Sequence, residues 1–156
     1  MTSEVSIQPP AIWLCDTCGE QVTDPAGALV VWRVADRDDC GHAFRDFKIV
    51  HKGPCDPDNQ AGYVMSLEVD RFTGPDGLTR LLSWLSIGPL KGGGYPRVAP
   101  EDLDAYVDLV RRVQIPGYED ARRYFGDPGV REWHGDSNEV WPYTVQALRE
   151  IPGHAA

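Results

Sequence analysis

The chain has 156 residues, 42% of them hydrophobic and 25% charged, with five Trp, so it can build an apolar core and is not a disordered polymer. Its net charge of −9 puts it at a disadvantage on phosphate backbones and anionic membrane surfaces. No apolar run approaches the ~18 residues of a membrane span, and Met1 to Pro10 lacks the basic and apolar regions of a secretory signal. The expected location is the cytoplasm.

Residues 1–12 read as a flexible lead-in closed by Pro9-Pro10. β-strands are predicted over Ala28–Val34, Phe44–Val50 and Tyr63–Val69, where β-branched and aromatic residues concentrate. The polar stretch Asp36–His42 between the first two suits a hairpin turn. After Gly74-Pro75 the period becomes helical. Leu78, Leu81, Leu82 and Leu85 follow i, i+3, i+4, i+7, with Asp76 as a candidate cap. Pro89 to Ala99, with Gly92-Gly93-Gly94, reads as a loop. Pro100 opens a second helix with Leu103, Tyr106, Val107, Val110 and Val113 on its apolar stripe. A short helix after Pro116-Gly117 carries Tyr118, Ala121, Tyr124 and Phe125. Gly126 to Gly135 reads as loop, and a last helix runs from Glu139 to Glu150, capped by Asn138, with Trp141, Val145 and Leu148 inward.

All four cysteines, Cys15, Cys18, Cys40 and Cys55, fall in the first 55 residues. In a reducing compartment such a cluster points to metal ligation rather than disulfides. Cys15-Asp16-Thr17-Cys18-Gly19 places two thiolates on one tight turn, where both reach a Zn²⁺ at ~2.3 Å. Two further ligands come from Cys40, His42, His51 and Cys55. If the strands at 28–34 and 44–50 form a hairpin, the chain returns to the CxxC end at His51-Lys52-Gly53-Pro54-Cys55. Cys40 and His42 then sit at the far tip, on the order of 20 Å away at ~3.3 Å per residue. The expected set is Cys15, Cys18, His51 and Cys55 around one structural Zn²⁺, with Cys40 in place of His51 if the sheet pairs differently.

A CxxCG knuckle, a β-hairpin and a second ligand pair together resemble the zinc-ribbon and treble-clef zinc fingers over residues 13–56. The second pair departs from that pattern, being His-x3-Cys rather than another CxxCG. The resemblance implies a structural zinc and a role in gripping nucleic acid or protein. The expected fold class is therefore α+β, a small zinc-bound antiparallel β unit at 13–72 followed by a compact unit of about four short helices at 73–151. A tail at 152–156 completes it, and His154 within it is expected to be disordered.

Other readings of the cysteines fit less well. A redox CxxC should open a helix after a strand, a catalytic zinc keeps an open position, and buried thiols need no metal. Arg111-Arg112 and Arg122-Arg123 bracket Pro116-Gly117 in a loose likeness to a helix-turn-helix, and Lys91 and Arg97 extend the basic patch. The competing reading pairs these arginines with Asp104, Asp108, Glu119 and Asp120. Lys91-Gly92-Gly93-Gly94 lacks a G-K-S/T ending, and His134 with Asp136 lacks a nucleophile, so both read as loop features. Trp84, Tyr95 and Trp133 fall off the stripes or in loops and are candidate protein-docking residues. The expected function is a non-catalytic, zinc-stabilised interaction module for a protein partner. DNA binding through the arginine-flanked helices is the alternative, and a zinc hydrolase is a more remote third.

Overall fold

The computed structural model describes residues 12–38, 41–58, 60–91, 97–135 and 141–156. It is a mixed α+β fold. Strands β1 (Trp13–Leu14) and β2 (Gln21–Val22) form a two-stranded antiparallel sheet. Strands β3 (Ala28–Asp36), β4 (His42–His51), β5 (Met65–Glu68) and β6 (Val98–Pro100) form a second sheet in the order β5-β3-β4-β6. The β3–β4 hairpin is antiparallel, with Ala28 opposite His51 and Asp36 opposite His42. Strand β6 joins β4 in parallel, within the stretch expected to be loop.

The central strand β3 is buried at every position from Ala28 to Trp32. Such a continuous apolar run marks a strand covered on both faces. Opposite Trp32 the β3–β4 register slips, so that Val31 pairs with Lys48 but Arg33 with Arg45. This bulge accounts for the broken alternation between Phe44 and Phe47. It holds Asp46 at φ +56°, a left-handed backbone anchored by the Arg33 guanidinium at 3.0 Å.

Helices α1 (Gly74–Ser83) and α2 (Leu103–Gln114) cover the four-stranded sheet. The inward face of α1 is Gly77, Leu81 and Trp84, also spaced i, i+4, i+7. Leu78, Leu82 and Leu85 are 40%, 53% and 53% exposed, so only Leu81 of the expected leucine stripe enters the core. Gly77 decides this rotation. A Cβ there would lie 2.1 Å from the Phe72 carbonyl carbon, so only glycine lets this face approach so closely.

Trp84, expected as an exposed docking residue, is instead buried. It packs edge-on to Phe44 and Phe72, tilted against Trp32 and Tyr106, and stacked on Phe47. The Tyr106 hydroxyl donates to the Leu81 carbonyl, joining the two helices.

The second helix also starts later than expected. Pro100 ends β6, and Asp102 caps α2 by accepting from the Ala105 amide at 3.1 Å. Its buried face is Tyr106, Leu109, Arg112 and Val113, while Leu103 is 59% exposed. These helices and the sheet share one core, which runs across the boundary expected at Phe72.

A second core gathers α3 (Tyr118–Arg122), α4 (Pro128–Gly135) and α5 (Val145–Glu150) around Tyr118, Ala121, Val130, Leu148 and Ile151. Helix α4 replaces the loop expected at 126–135. Asp127 Oδ1 accepts from the Gly129 amide at 2.9 Å, and Pro128 needs no amide in the first turn. Helix α5 begins only at Val145, where Thr144 accepts from the Ala147 amide. Trp141 thus lies ahead of the helix and is 75% exposed rather than inward. Asn138, its expected cap, lies outside the described residues.

The C-terminal residues are ordered against this second core. Ile151–His154 form one 3-10 turn, the His154 ring stacks on Trp133 at 3.9 Å, and the Ala156 amide donates to Asp127.

Candidate metal centre

The first half of the site is a tight turn between β1 and β2. The Cys15 amide donates to the Glu20 carbonyl at 2.9 Å and the Gly19 amide to the Cys15 carbonyl at 2.8 Å. Gly19 sits at φ +78°, a conformation that favours glycine. The turn leaves Cys15 buried and Cys18 exposed.

The β3–β4 hairpin supplies the second half. Because Ala28 pairs with His51, β4 ends beside the knuckle, and Gly53 at φ +84° turns the chain so that Cys55 faces it. Thr17 Oγ1 donates to the Cys55 carbonyl at 3.0 Å and ties the two halves together. The ligand atoms of Cys15, Cys18, His51 and Cys55 all lie within 4.8 Å of one another. Tetrahedral zinc with ~2.3 Å bonds to sulfur requires sulfurs about 3.8 Å apart, which this cluster accommodates. His51 Nε2 lies 3.1 Å from the Gln21 carbonyl, which assigns the proton to Nε2. That leaves Nδ1, 3.5 Å from Cys18 Sγ, as the donor atom. A backbone carbonyl on the far nitrogen is the usual way a ligating imidazole is oriented.

The electrostatics of the cluster favour a cation at its centre. Burial raises the Cys15 thiol, but hydrogen bonds from the Cys18, His51 and Thr17 amides and the His51 ring outweigh it, bringing it down to about 6. Cys55 is pushed up to about 11 by burial and by the neighbouring Cys18 and Cys15 sulfurs. His51 is raised by its contacts with Cys15 and the Gln21 carbonyl. Three sulfurs this close resist common ionisation, and a divalent cation removes that repulsion.

The knuckle is anchored through Asp16, the residue after its first cysteine. The Asp16 amide donates to the Ile49 carbonyl and Asp16 Oδ2 accepts from the Ile49 amide, both at 2.8 Å. Arg112 of α2 reaches the same carboxylate from Nη1 at 2.7 Å and Nη2 at 3.2 Å. Its Nε and Nη2 donate to Glu119 at 2.8 and 2.7 Å, and Nη2 also reaches the Leu14 carbonyl. Glu119 in turn accepts from the Leu14 amide, and the Trp13 indole donates to the Arg112 carbonyl. Burial alone would lower the Arg112 pKa, but Glu119 and Asp16 raise it further, so the guanidinium stays charged.

This overturns Arg112 as a nucleic-acid contact, since its side chain is only 3% exposed and fully paired. Arg122 grips Asp108 through Nε and Nη2, Arg123 pairs with Asp120, and Arg111 lies 4.0 Å over the Tyr143 ring. Three of these arginines are engaged by Asp108, Glu119 and Asp120, but only Arg123 with Asp120 is at a helical neighbour spacing; the other two pairs run between α2 and α3. His42 lies at the opposite end of β4, 3.4 Å from Asp36, far from the knuckle. Cys40, Tyr95, Gly92–Gly94 and Asp136 lie outside the described residues. Trp133 is half-buried between His134 and His154. Nothing in the sequence signals the roles of Asp16 and the Gln21 carbonyl at the site, or the bond from Glu119, itself a foreseen arginine partner, to the Leu14 amide. Their partners lie as far as 105 residues away in the chain, and no local spacing signals them.

No protein-family model, curated protein or solved structure matches this chain. Among the described residues, no helix is long and apolar enough to cross a membrane.

Proposed function

We propose that the chain is a zinc-stabilised, non-catalytic interaction module in which Cys15, Cys18, His51 and Cys55 hold one structural Zn²⁺. The observation that carries this reading is the convergence of three sulfurs and one imidazole nitrogen within 4.8 Å. A Cys3His set favours zinc over harder cations, and four protein donors leave no open position for a reactive water. The resemblance to zinc ribbons and treble clefs rests on the CxxCG knuckle and the hairpin, while the second pair, His-x3-Cys, departs from their pattern. A reducing compartment such as the cytoplasm keeps the thiols available for the metal. The exposed Leu82, Leu85 and Trp141 support a protein partner, since large apolar side chains left in water mark contact surfaces.

Elemental analysis of the purified full chain tests the metal. About one zinc per chain is expected, and the cobalt-substituted protein should show the visible spectrum of a tetrahedral site rich in thiolate. A folded chain that holds no metal while its thiols titrate freely overturns the reading.

A further inference from the structure

The exposed leucines of α1 run into a groove of about 450 Å³ at the end of that helix. Phe44 and Trp84 line it together with Leu85 and Ile87, and Arg80 and Arg97 frame it. Leu78 and Leu82, one turn apart on α1, and Leu85, in the turn just past its end, carry this exposed apolar surface along the approach to the groove.

The charges select among occupants. Arg33, Arg45, Arg112, Arg122 and Arg123 each hold a carboxylate. Among the described residues, neither Arg80 nor Arg97 does. Arg80 Nε donates only to the Arg71 carbonyl, and Arg97 offers its backbone carbonyl to the His42 amide. Two guanidiniums with no carboxylate partner among the described residues, beside apolar side chains on a chain of net charge −9, form a local positive frame. A nucleic acid gains nothing from the exposed leucines. A strand added at β6 finds only three residues there, the last being Pro100, whose nitrogen carries no hydrogen.

We propose that these exposed leucines and this groove dock an amphipathic helix of about three turns, with leucine-sized side chains on one face and acidic residues flanking it. The leucines supply apolar burial, and Arg80 and Arg97 set polarity and register by pairing with the partner's carboxylates. This rests on the reading of the chain as an interaction module and names the chemistry of its partner.

The probe is a fluorescently labelled 14-residue synthetic helix with leucines at i, i+3, i+4, i+7 and glutamates elsewhere, titrated by anisotropy against the metal-loaded full chain. A second peptide carries lysine at every glutamate position. The glutamate peptide should bind and the lysine peptide should not. Leu82→Asp and Arg97→Glu should each weaken binding by about tenfold or more while metal content and circular dichroism stay unchanged. Arg80→Glu combined with Arg97→Glu should shift preference toward the lysine peptide, which a loss of folding cannot do. Equal binding of both peptides, or no binding by either, overturns the proposal. So does displacement of the peptide by a single-stranded oligonucleotide of equal charge, or a dimer of the chain that Leu82→Asp dissociates. A metal-loaded chain that ignores the peptide removes this partner and leaves the zinc reading standing; a chain without metal removes the zinc reading first.

Discussion

Arg112 and Asp16 meet across 96 residues of chain in a two-pronged ion pair, with Nη1 to Oδ2 at 2.7 Å and Nη2 to Oδ1 at 3.2 Å. The pair joins α2 to the turn that carries Cys15 and Cys18. Glu119 completes the guanidinium's partners, so a cation that the sequence offers to solvent becomes the strut between the cysteine knuckle and the helices.

Arg112→Ala leaves the buried Glu119 and the half-buried Asp16 without a counter-charge, and should cost about 3–5 kcal/mol. Arg112→Lys should recover only part of this, because an ammonium cannot serve both carboxylates with a planar fork. Urea unfolding of the metal-loaded variants measures both. A loss below about 1 kcal/mol for the alanine variant would mean that the strut is dispensable.

Metal removal should destabilise more than the knuckle. Trp13, Cys15 and Val22 belong to the same core as β3, α1 and α2, so chelation should loosen that whole core. For an ion present at 1,000 times its dissociation constant, the loss is about 4 kcal/mol. Cys15→Ser and His51→Ala should lose the metal, whereas Cys40→Ser should keep it. Thermal unfolding with and without chelator, paired with metal analysis of each variant, checks all three. A metal-free Cys40→Ser protein would show that the ligand set has been misassigned.

Asp108 connects α2 to α3 by accepting from Arg122 and from the Tyr118 hydroxyl at 2.7 Å. Burial raises its pKa, but Arg122 and Tyr118 outweigh that and hold it below the usual carboxylate range. A folded-state pKa below the unfolded one stabilises at neutral pH, and this contribution fades as pH falls from about 4 through the lowered value. Asp108→Asn should therefore cost about 1 kcal/mol at pH 7, allowing for its partial exposure, and next to nothing once both proteins are titrated in acid. A difference that persists unchanged at low pH would assign the effect to packing instead.

Gly77→Ala places a methyl 2.1 Å from the Phe72 carbonyl carbon and 2.4 Å from its oxygen. Backbone must move, and a loss of about 3 kcal/mol or more is expected despite the helix-favouring substitution. Gly153→Ala meets nothing within 4 Å and should be nearly neutral. Thermal unfolding of the two variants side by side measures the contrast.

The readable parts of this protein were the local ones. Alternation and β-branching located β3 and β4, and their hairpin brought His51 and Cys55 back to the Cys15–Cys18 turn, because register follows from strand pairing over a short span. Helical spacing located α1 but not its rotation. The expected stripe Leu78, Leu81, Leu82 and Leu85 shares only Leu81 with the buried face Gly77-Leu81-Trp84, which has the same helical period but is less apolar in sequence. Helix α4, in the stretch expected to be loop, is signalled by Asp127-Pro128, a cap followed by a residue that needs no amide, although its glycines weigh against a helix.

What the sequence by itself determined was therefore β3, β4 and β5, the β3–β4 hairpin and the four residues of the Cys3His cluster, which that hairpin brings together. Tertiary structure alone decided that Trp84 is core, that α1 turns its leucines outward, and that Arg112 holds Asp16 rather than a phosphate. Those outcomes depend on which faces meet across long stretches of chain, where a glycine's missing methyl or a distant carboxylate changes the balance, and no periodicity carries that information.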